Sequence, residues 1–215
     1  MSKKYIISVI PGDGIGKEVI PIALKVLNKL SIKFGFVFEF KLFDYSCDYY
    51  IRNGVMMDKD GLKKLEDCHA ILLGSVGMPS VADHISLWGL LIPIRRAFDQ
   101  YVNLRPVKSL KGIDGVLRDK KNIDYLIVRE NSEGEYSDIG GIENINQADE
   151  FVFQKAIFSK KGTERIVNYA YELAAKRKNK LTSATKSNGI IHSMTYWDNI
   201  VVSISKKHPN VATSR

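Results

Sequence analysis

The period at which apolar residues recur changes repeatedly along this chain, and the changes divide its first half into alternating strands and helices. Residues 6–10 (Ile-Ile-Ser-Val-Ile) form a short apolar run, as in a strand covered on both faces, and Pro11-Gly12-Asp13-Gly14 has the composition of a turn. Over residues 16–30 the spacing of Val19, Ile20, Ala23, Leu24, Leu27 and Leu30 predicts a helix with one apolar face. Phe36, Phe38, Phe40 and Leu42 alternate with Val37, Glu39 and Lys41, which is the period of a strand. A helix over about residues 60–67, a buried strand over 70–73 and a helix over about 86–98 follow. Strands alternating with helices predict an α/β domain with a largely parallel sheet.

The second half is more mixed. Residues 101–107 and 123–128 read as strands, and residues 134–149, rich in Gly, Asn, Asp and Glu, read as loop. Residues 151–158 read as a strand with apolar side chains on both faces, which calls for a cover on each. A long helix is expected to start at Ser159 as N-cap, to turn Ile166, Val167, Ala170, Leu173 and Ala174 inward, and to end in Lys176-Arg177-Lys178. A short strand over 181–184 and an amphipathic helix over about 193–206 complete the pattern.

A chain of 215 residues with 45% hydrophobic and 26% charged residues has the balance of an ordinary globular protein of one large or two small domains. The apolar run after Met1-Ser2-Lys3-Lys4 is too short to span a bilayer and resembles no secretory signal, so the expected location is cytoplasmic, away from membranes. Cys47 and Cys68 have neither the spacing nor the histidine neighbours of a zinc site and are expected to be free thiols. The net charge of +8 raises the question of nucleic acid. Its lysines are dispersed in short groups (Lys63-Lys64, Lys120-Lys121, Lys160-Lys161, residues 176–180, Lys206-Lys207) with no interleaved aromatics, so no nucleic-acid partner is expected. The same charge would attract small anionic substrates.

The sharpest chemical signal is three arginines in apolar surroundings, Arg95 in Leu91-Ile92-Pro93-Ile94-Arg95, Arg105 in Asn103-Leu104-Arg105-Pro106 and Arg129 in Ile127-Val128-Arg129-Glu130. Guanidinium forks match carboxylate geometry, so three that converge would suit a ligand with more than one carboxylate. The alternative is structural pairing with carboxylates such as Asp99 or Glu130. Tyr136 follows closely, with a phenol able to donate or accept a proton, beside Glu130, Glu133 and Glu135, acidic groups of a kind that bind metal or are simply solvated. Glycines at 12, 14 and 16 miss the Gly-x-Gly-x-x-Gly spacing and fit a tight strand-to-helix turn better than a pyrophosphate cradle. Gly74-Ser75-Val76-Gly77 leaves the carboxyl end of a strand, where open α/β sheets bind ligands. Lys186, among Ser183, Thr185, Ser187, Asn188 and Gly189, is either a confined proton carrier or a surface lysine.

Five segments in order, namely residues 9–16, 83–95, 99–106, 128–136 and 181–193, resemble the β-decarboxylating dehydrogenases of isocitrate, 3-isopropylmalate, tartrate and D-malate, and most of all the tartrate/D-malate branch. The resemblance implies an isopropylmalate dehydrogenase-like α/β fold, not a Rossmann fold. Residues 1–99 would be the N-terminal part of a large domain, and residues 100–215 most of a small domain with a dimer-forming arm near 143–158. It implies NAD-dependent oxidative decarboxylation of a malate- or tartrate-like 2-hydroxy dicarboxylic acid, with a homodimer or a complete homologue as protein partner. Arg95, Arg105 and Arg129 would hold the substrate carboxylates, and Trp88 to Leu91 would face its side group. Tyr136 would supply the proton that quenches the enolate, and Lys186, from the partner subunit, would take the hydroxyl proton. Gly74, Ser75, Val76, Gly77 and Asn188 would lie near the cofactor. Mg²⁺ or Mn²⁺ would stabilise the enolate, but the family's aspartate ligands and the rest of its large domain belong to a continuation beyond these residues, so no metal ligand is assigned here. The chain is therefore expected to be a truncated member with little or no activity of its own. The alternatives are a non-catalytic dicarboxylate-binding or partner subunit, or a degraded gene product.

Overall fold

β1 (Lys4–Gly12) is the middle strand of a parallel sheet, flanked by β2 (Val37–Leu42) and β3 (Ala70–Ser75) in the order β2-β1-β3. The computed structural model describes residues 3–113, 115, 117 and 122–215; Met1-Ser2 and the Lys120-Lys121 pair lie outside them. The chain divides into two compact units, Met1–Phe98 and Asp99–Arg215.

In the first unit, β1 has the two covered faces its apolar run predicts. Ile7 and Val9 pack with Ile20 of α1 (Gly16–Phe34), while Ile10 joins Tyr45, Cys47, Met56, Leu65, Val81, Leu90 and Ile94. The apolar face expected of α1 is only partly covered. Ile20 is buried, but Val19 and Leu30 are 49% and 39% exposed, because the described neighbours of α1 are the three strands on one side of it. A helix that periodicity did not announce, α2 (Cys47–Asn53), starts where Ser46 Oγ accepts from the Tyr49 amide at 3.0 Å. Seven residues are too few to show a helical period. α3 (Gly61–Glu66) lies within the predicted span. The predicted helix over 86–98 starts earlier and is interrupted: α4 (Asp83–Ser86) runs through a π-helical turn (Leu87–Leu91) into α5 (Ile92–Ala97).

Among its described residues the second unit contains three separate strand pairs. β4 (Val102–Lys108) and β5 (Asp124–Glu130) are antiparallel, β6 (Gly140–Glu143) and β7 (Phe151–Gln154) form an antiparallel hairpin, and β8 (Lys180–Thr182) and β9 (Ala212–Ser214) are parallel. Two amphipathic helices, α6 (Lys160–Ala175) and α7 (Ser193–Ser205), bury Ile166, Val167, Tyr171 and Ala174 against Ile200, Val201 and Ile204. β6 corrects the reading of residues 134–149 as loop throughout. Asn144 and Asn146, at φ 54° and 63°, turn the chain after it, and Asn144 Nδ2 bonds Asp149 at 2.8 Å. β7 is shorter than residues 151–158 and its four residues are exposed, so the covered faces expected there are not found among the described residues.

The predicted start of α6 is observed: Ser159 Oγ accepts from the Gly162 amide at 2.9 Å, and Ser159 in turn donates its amide and hydroxyl to Glu133 at 2.9 and 2.6 Å. Replacing Ser159 by alanine removes the cap and one ligand of Glu133 together. A loss of about 1–2 kcal/mol is expected, checked by denaturant unfolding against wild type, and an unchanged midpoint would show that the cap contributes nothing. Both cysteines are free. No helix among the described residues is long and apolar enough to cross a membrane.

Candidate functional site

Pairing between β4 and β5 decides which side chains share a face. Asn103 lies opposite Arg129 and Arg105 opposite Ile127, and alternation along each strand puts all four on one side of the ribbon. Val102 and Val128 turn towards the core formed by α6 and α7. Arg129 is half-buried and its Nη2 donates to the Tyr136 hydroxyl at 2.8 Å, while its guanidinium carbon lies 5.4 Å from the centre of the Tyr136 ring. A cation thus meets a phenol oxygen that also carries a proton. Arg105 is exposed, against the expectation of apolar confinement, because the strand turns it to the open face; its Nε donates to Asn103 Oδ1 at 3.0 Å.

The two carboxylates considered as structural partners for these arginines are engaged elsewhere. Asp99 accepts both oxygens' worth of bonds from Arg165 Nη1, at 2.8 and 2.9 Å. Arg165 also reaches Ser132 Oγ at 3.0 Å and stacks 4.3 Å from the Tyr101 ring. Glu130 accepts from the Ser132 amide and hydroxyl and from the Glu133 amide, at 2.7–3.1 Å. Glu133, in turn, caps α6. The acidic loop therefore spends its charges on holding its own shape, which fixes the chain that leads to Tyr136. Arg165, the organiser of this loop, was not singled out by sequence, because its partner Asp99 is far away along the chain.

Lys186 and Asn188 lie in the turn between β8 and α7. Both are exposed, so of the two alternatives for Lys186 this chain shows the surface lysine: the Gly189 and Ile190 amides fold back onto its carbonyl, at 3.0 and 2.9 Å, and leave the side chain outside.

In the first unit Arg95 is half-buried on α5, and its neighbour Arg96 covers the Trp88 ring with its guanidinium carbon 5.0 Å from the centroid. The loop after β3 is built around Asp13, a carboxylate only 1% exposed. Asp13 accepts from the Cys47 amide at 3.0 and 3.1 Å, the Gly77 amide at 3.1 Å and the Asp48 amide at 3.4 Å. Burial alone would push its pKa up, but the amides of Cys47, Gly77 and Asp48, with the Cys47 thiol, together outweigh it and hold the carboxyl below its ordinary value. The Cys47 thiol goes the other way, pushed up to about 11 by burial first and then by the Asp13 carboxylate, so it is not a nucleophile at neutral pH.

The cofactor assignments fit unevenly. Ser75 Oγ is already used, accepting from the Gly16 amide and donating to the Asp13 carbonyl. Gly74 is required by packing, since a Cβ there would lie 2.1 Å from the Pro11 carbonyl oxygen. Gly77, by contrast, has open space where a side chain would be, and this bare stretch of backbone could accept a flat ligand. Among the described residues no group of three or more His, Cys, Asp or Glu side chains could hold a metal ion, so these residues do not fit the metal that the resemblance implies, and no step is routed through it.

Comparison with known proteins bears on this arrangement. The isocitrate/isopropylmalate dehydrogenase family model matches residues 6–215. The chain is 46% identical over 215 residues to the probable tartrate dehydrogenase/decarboxylase of Bacillus subtilis (strain 168), covering 99% of this chain and 60% of that protein. It is 47% identical over 216 residues to the D-malate dehydrogenase [decarboxylating] of Escherichia coli (strain K12), covering 98% and 60%. The chain thus spans about 60% of the length of these curated relatives. Among solved structures, isocitrate dehydrogenase from Methylococcus capsulatus superposes with a TM-score of 0.85 at 24% identity, over 98% of this chain and 59% of that one, a likeness of fold. A β-decarboxylating dehydrogenase from Thermococcus kodakarensis in its apo form gives 0.71 at 28% identity, over 98% and 57%.

Proposed function

The chain belongs to the isocitrate/isopropylmalate dehydrogenase family, and from that premise we propose that it serves NAD-dependent oxidative decarboxylation of a malate- or tartrate-like 2-hydroxy dicarboxylic acid. The observation that carries the proposal is the Arg129–Tyr136 pair, with Arg105 on the same face as Arg129. The guanidinium binds and orients a carboxylate, and the phenol beside it delivers a proton to the carbon left electron-rich by loss of carbon dioxide. Arg95 would hold a further carboxylate oxygen. Lys186, exposed on its turn, would serve a partner subunit by taking the hydroxyl proton, and the exposed hairpin of β6 and β7 would join the two subunits. Gly77, with Val76 and Asn188, would border the nicotinamide, which when bound accepts the hydride. The described residues bring together no metal-ligating group, and we propose that residues 1–215 by themselves bind the acid but turn it over slowly or not at all.

Calorimetric titration of the 215-residue chain tests the binding half. D-malate or tartrate should bind at least tenfold more tightly than lactate, which has the same 2-hydroxy acid head and one carboxylate. Arg129→Gln should weaken the dicarboxylates by about 10–100-fold, the worth of a hydrogen bond to a charged group. Equal binding of lactate and D-malate would refute the arginine assignment, and NADH formation by residues 1–215 at the rate of full-length relatives would refute the incomplete-site reading.

A further inference from the structure

The β4–β5 ribbon ends beside α6, and one side chain closes that end. Asp99 precedes β4 and Ser132 follows β5, so they stand on opposite sides of the opening. Arg165, in the second turn of α6, reaches both: Nη1 donates to the Asp99 carboxylate at 2.8 and 2.9 Å and Nη2 to Ser132 Oγ at 3.0 Å, while the guanidinium carbon lies 4.3 Å from the centre of the Tyr101 ring. A flat fork with donors on two edges and a face free to stack makes all three contacts together, which an ammonium does not. From Ser132 the link continues: its hydroxyl donates to Glu130 at 2.7 Å, and the Asn131 amide between them donates to the Tyr101 carbonyl at 3.0 Å.

Arg165 is on the wrong side of the ribbon to touch a ligand held by Arg129. Val102, Val128 and, by the same alternation, Glu130 lie on the face turned to α6, whereas Asn103 and Arg129 lie on the other. Whatever it contributes there passes through the ribbon. Asn103 and Arg129 are the second pair from the end it closes, and the ends of elements are where pairing opens first. The chain from Arg129 to Tyr136 leaves through that same end. On the way Glu133 is taken up by Ser159 at the start of α6, over Gly162, where a Cβ would collide with the Glu133 carboxylate.

We propose that Arg165 is a positioning residue: by closing the ribbon end it keeps Arg129 at its 2.8 Å contact with the Tyr136 hydroxyl, so that one substrate meets both groups. The inference rests on the reading of Arg129 and Tyr136 as the carboxylate-binding and proton-donating groups. The first half of α6 then works as a jig, holding the loop between them at Ser132 through Arg165 and at Glu133 through Ser159.

The 215-residue chain, isotope-labelled at the tyrosine ζ-carbon, tests it by nuclear magnetic resonance, with the Tyr136 signal assigned by its loss in Tyr136→Phe and D-malate binding read by calorimetry. Arg165→Gln should move that signal from its wild-type position and weaken D-malate about tenfold, the worth of one charge-assisted hydrogen bond that is no longer aimed. Ser132→Ala cuts the link but leaves Arg165 on Asp99. It should move both readings in the same direction, and adding it to Arg165→Gln should change nothing further, because the two residues act along one path. Val167→Ala, a core change on the same helix, should lower the melting temperature and leave signal and binding as they are. The proposal fails if Arg165→Gln, with its α6 and α7 amides still protected from exchange, keeps the wild-type Tyr136 signal; if that variant does not fold, an unmoved signal in Ser132→Ala refutes it instead. It also fails if Val167→Ala moves the signal as far as Arg165→Gln does, since loss of stability would then be sufficient. A wild-type chain that does not bind D-malate refutes the reading of Arg129, and the Tyr136 signal still decides for Arg165.

Discussion

Asp13→Ala is expected to lower the stability of the first unit by about 3–5 kcal/mol, the loss of several charge-assisted hydrogen bonds and the stranding of their buried amides. Three segments depend on this one carboxylate: the turn after β1 that contains it, the start of α2 through Cys47 and Asp48, and the loop after β3 through Gly77. Calorimetry should show a melting temperature lower by more than about 10 °C. Asp13→Asn keeps the shape but directs two N–H groups at donors, so it should recover only part of the loss. The pH dependence has a definite sign. The carboxyl titrates below its ordinary value of 3.8 in the folded chain, so the unfolded chain binds its proton first as acid is added. The stabilisation is complete above pH 3.8 and is lost as pH falls through the lowered folded value. Asp58 and Asp124 are also held low, Asp58 first by Lys64 and Asp124 first by Arg177, so the quantity to measure is the difference between wild type and Asp13→Asn. That difference should shrink below about pH 4. A difference that is flat across this interval would remove Asp13 from the account.

Tyr136→Phe is expected to lower kcat by about 10²- to 10⁴-fold, the range for removing a positioned proton donor, while shifting the dicarboxylate Kd by no more than a few-fold. The measurement belongs to the form of the protein that turns over the acid, with binding followed separately on the 215-residue chain. The split distinguishes two roles for the 2.8 Å contact with Arg129. If the phenol only braced the guanidinium, its loss would appear in binding and resemble a mild Arg129→Gln. If it delivers the proton, binding survives and turnover does not. An unchanged kcat would remove Tyr136 from the chemistry.

What could be read from sequence followed the length of each signal. α6 was legible because a long helix shows its period and Ser159 supplies a recognisable cap. β1 was legible because an apolar run between turns has few alternatives. α2 and β6 were not, because four to seven residues carry too little pattern, and β6 depends on its partner strand more than on its own composition. The site divided in the same way. Arg129 and Tyr136, close in sequence, were each singled out there with separate roles, and their direct contact appears only in the structure. Arg165 and Asp13 could not be singled out, since each acts through partners 33 to 66 positions away. Exposure of Arg105 was misread because apolar neighbours along the chain say nothing about which side of a strand faces solvent, and for the same reason the two readings of Lys186 could not be separated.

The π-helical turn at Leu87–Leu91 settles which of two adjacent arginines meets the Trp88 ring. Each residue advances an α-helix by about 100°, so in an uninterrupted helix the side chain seven places after Trp88, that of Arg95, would return to nearly the same azimuth and lie along the indole. A π turn takes up one extra residue and retards everything after it by about one step. Arg96 arrives at the azimuth that Arg95 would have had, and it is Arg96 that covers the Trp88 ring. Arg95 is rotated off that face by a quarter turn or more. The irregular turn thus works as a phase shifter, giving one guanidinium to the tryptophan and aiming its neighbour elsewhere.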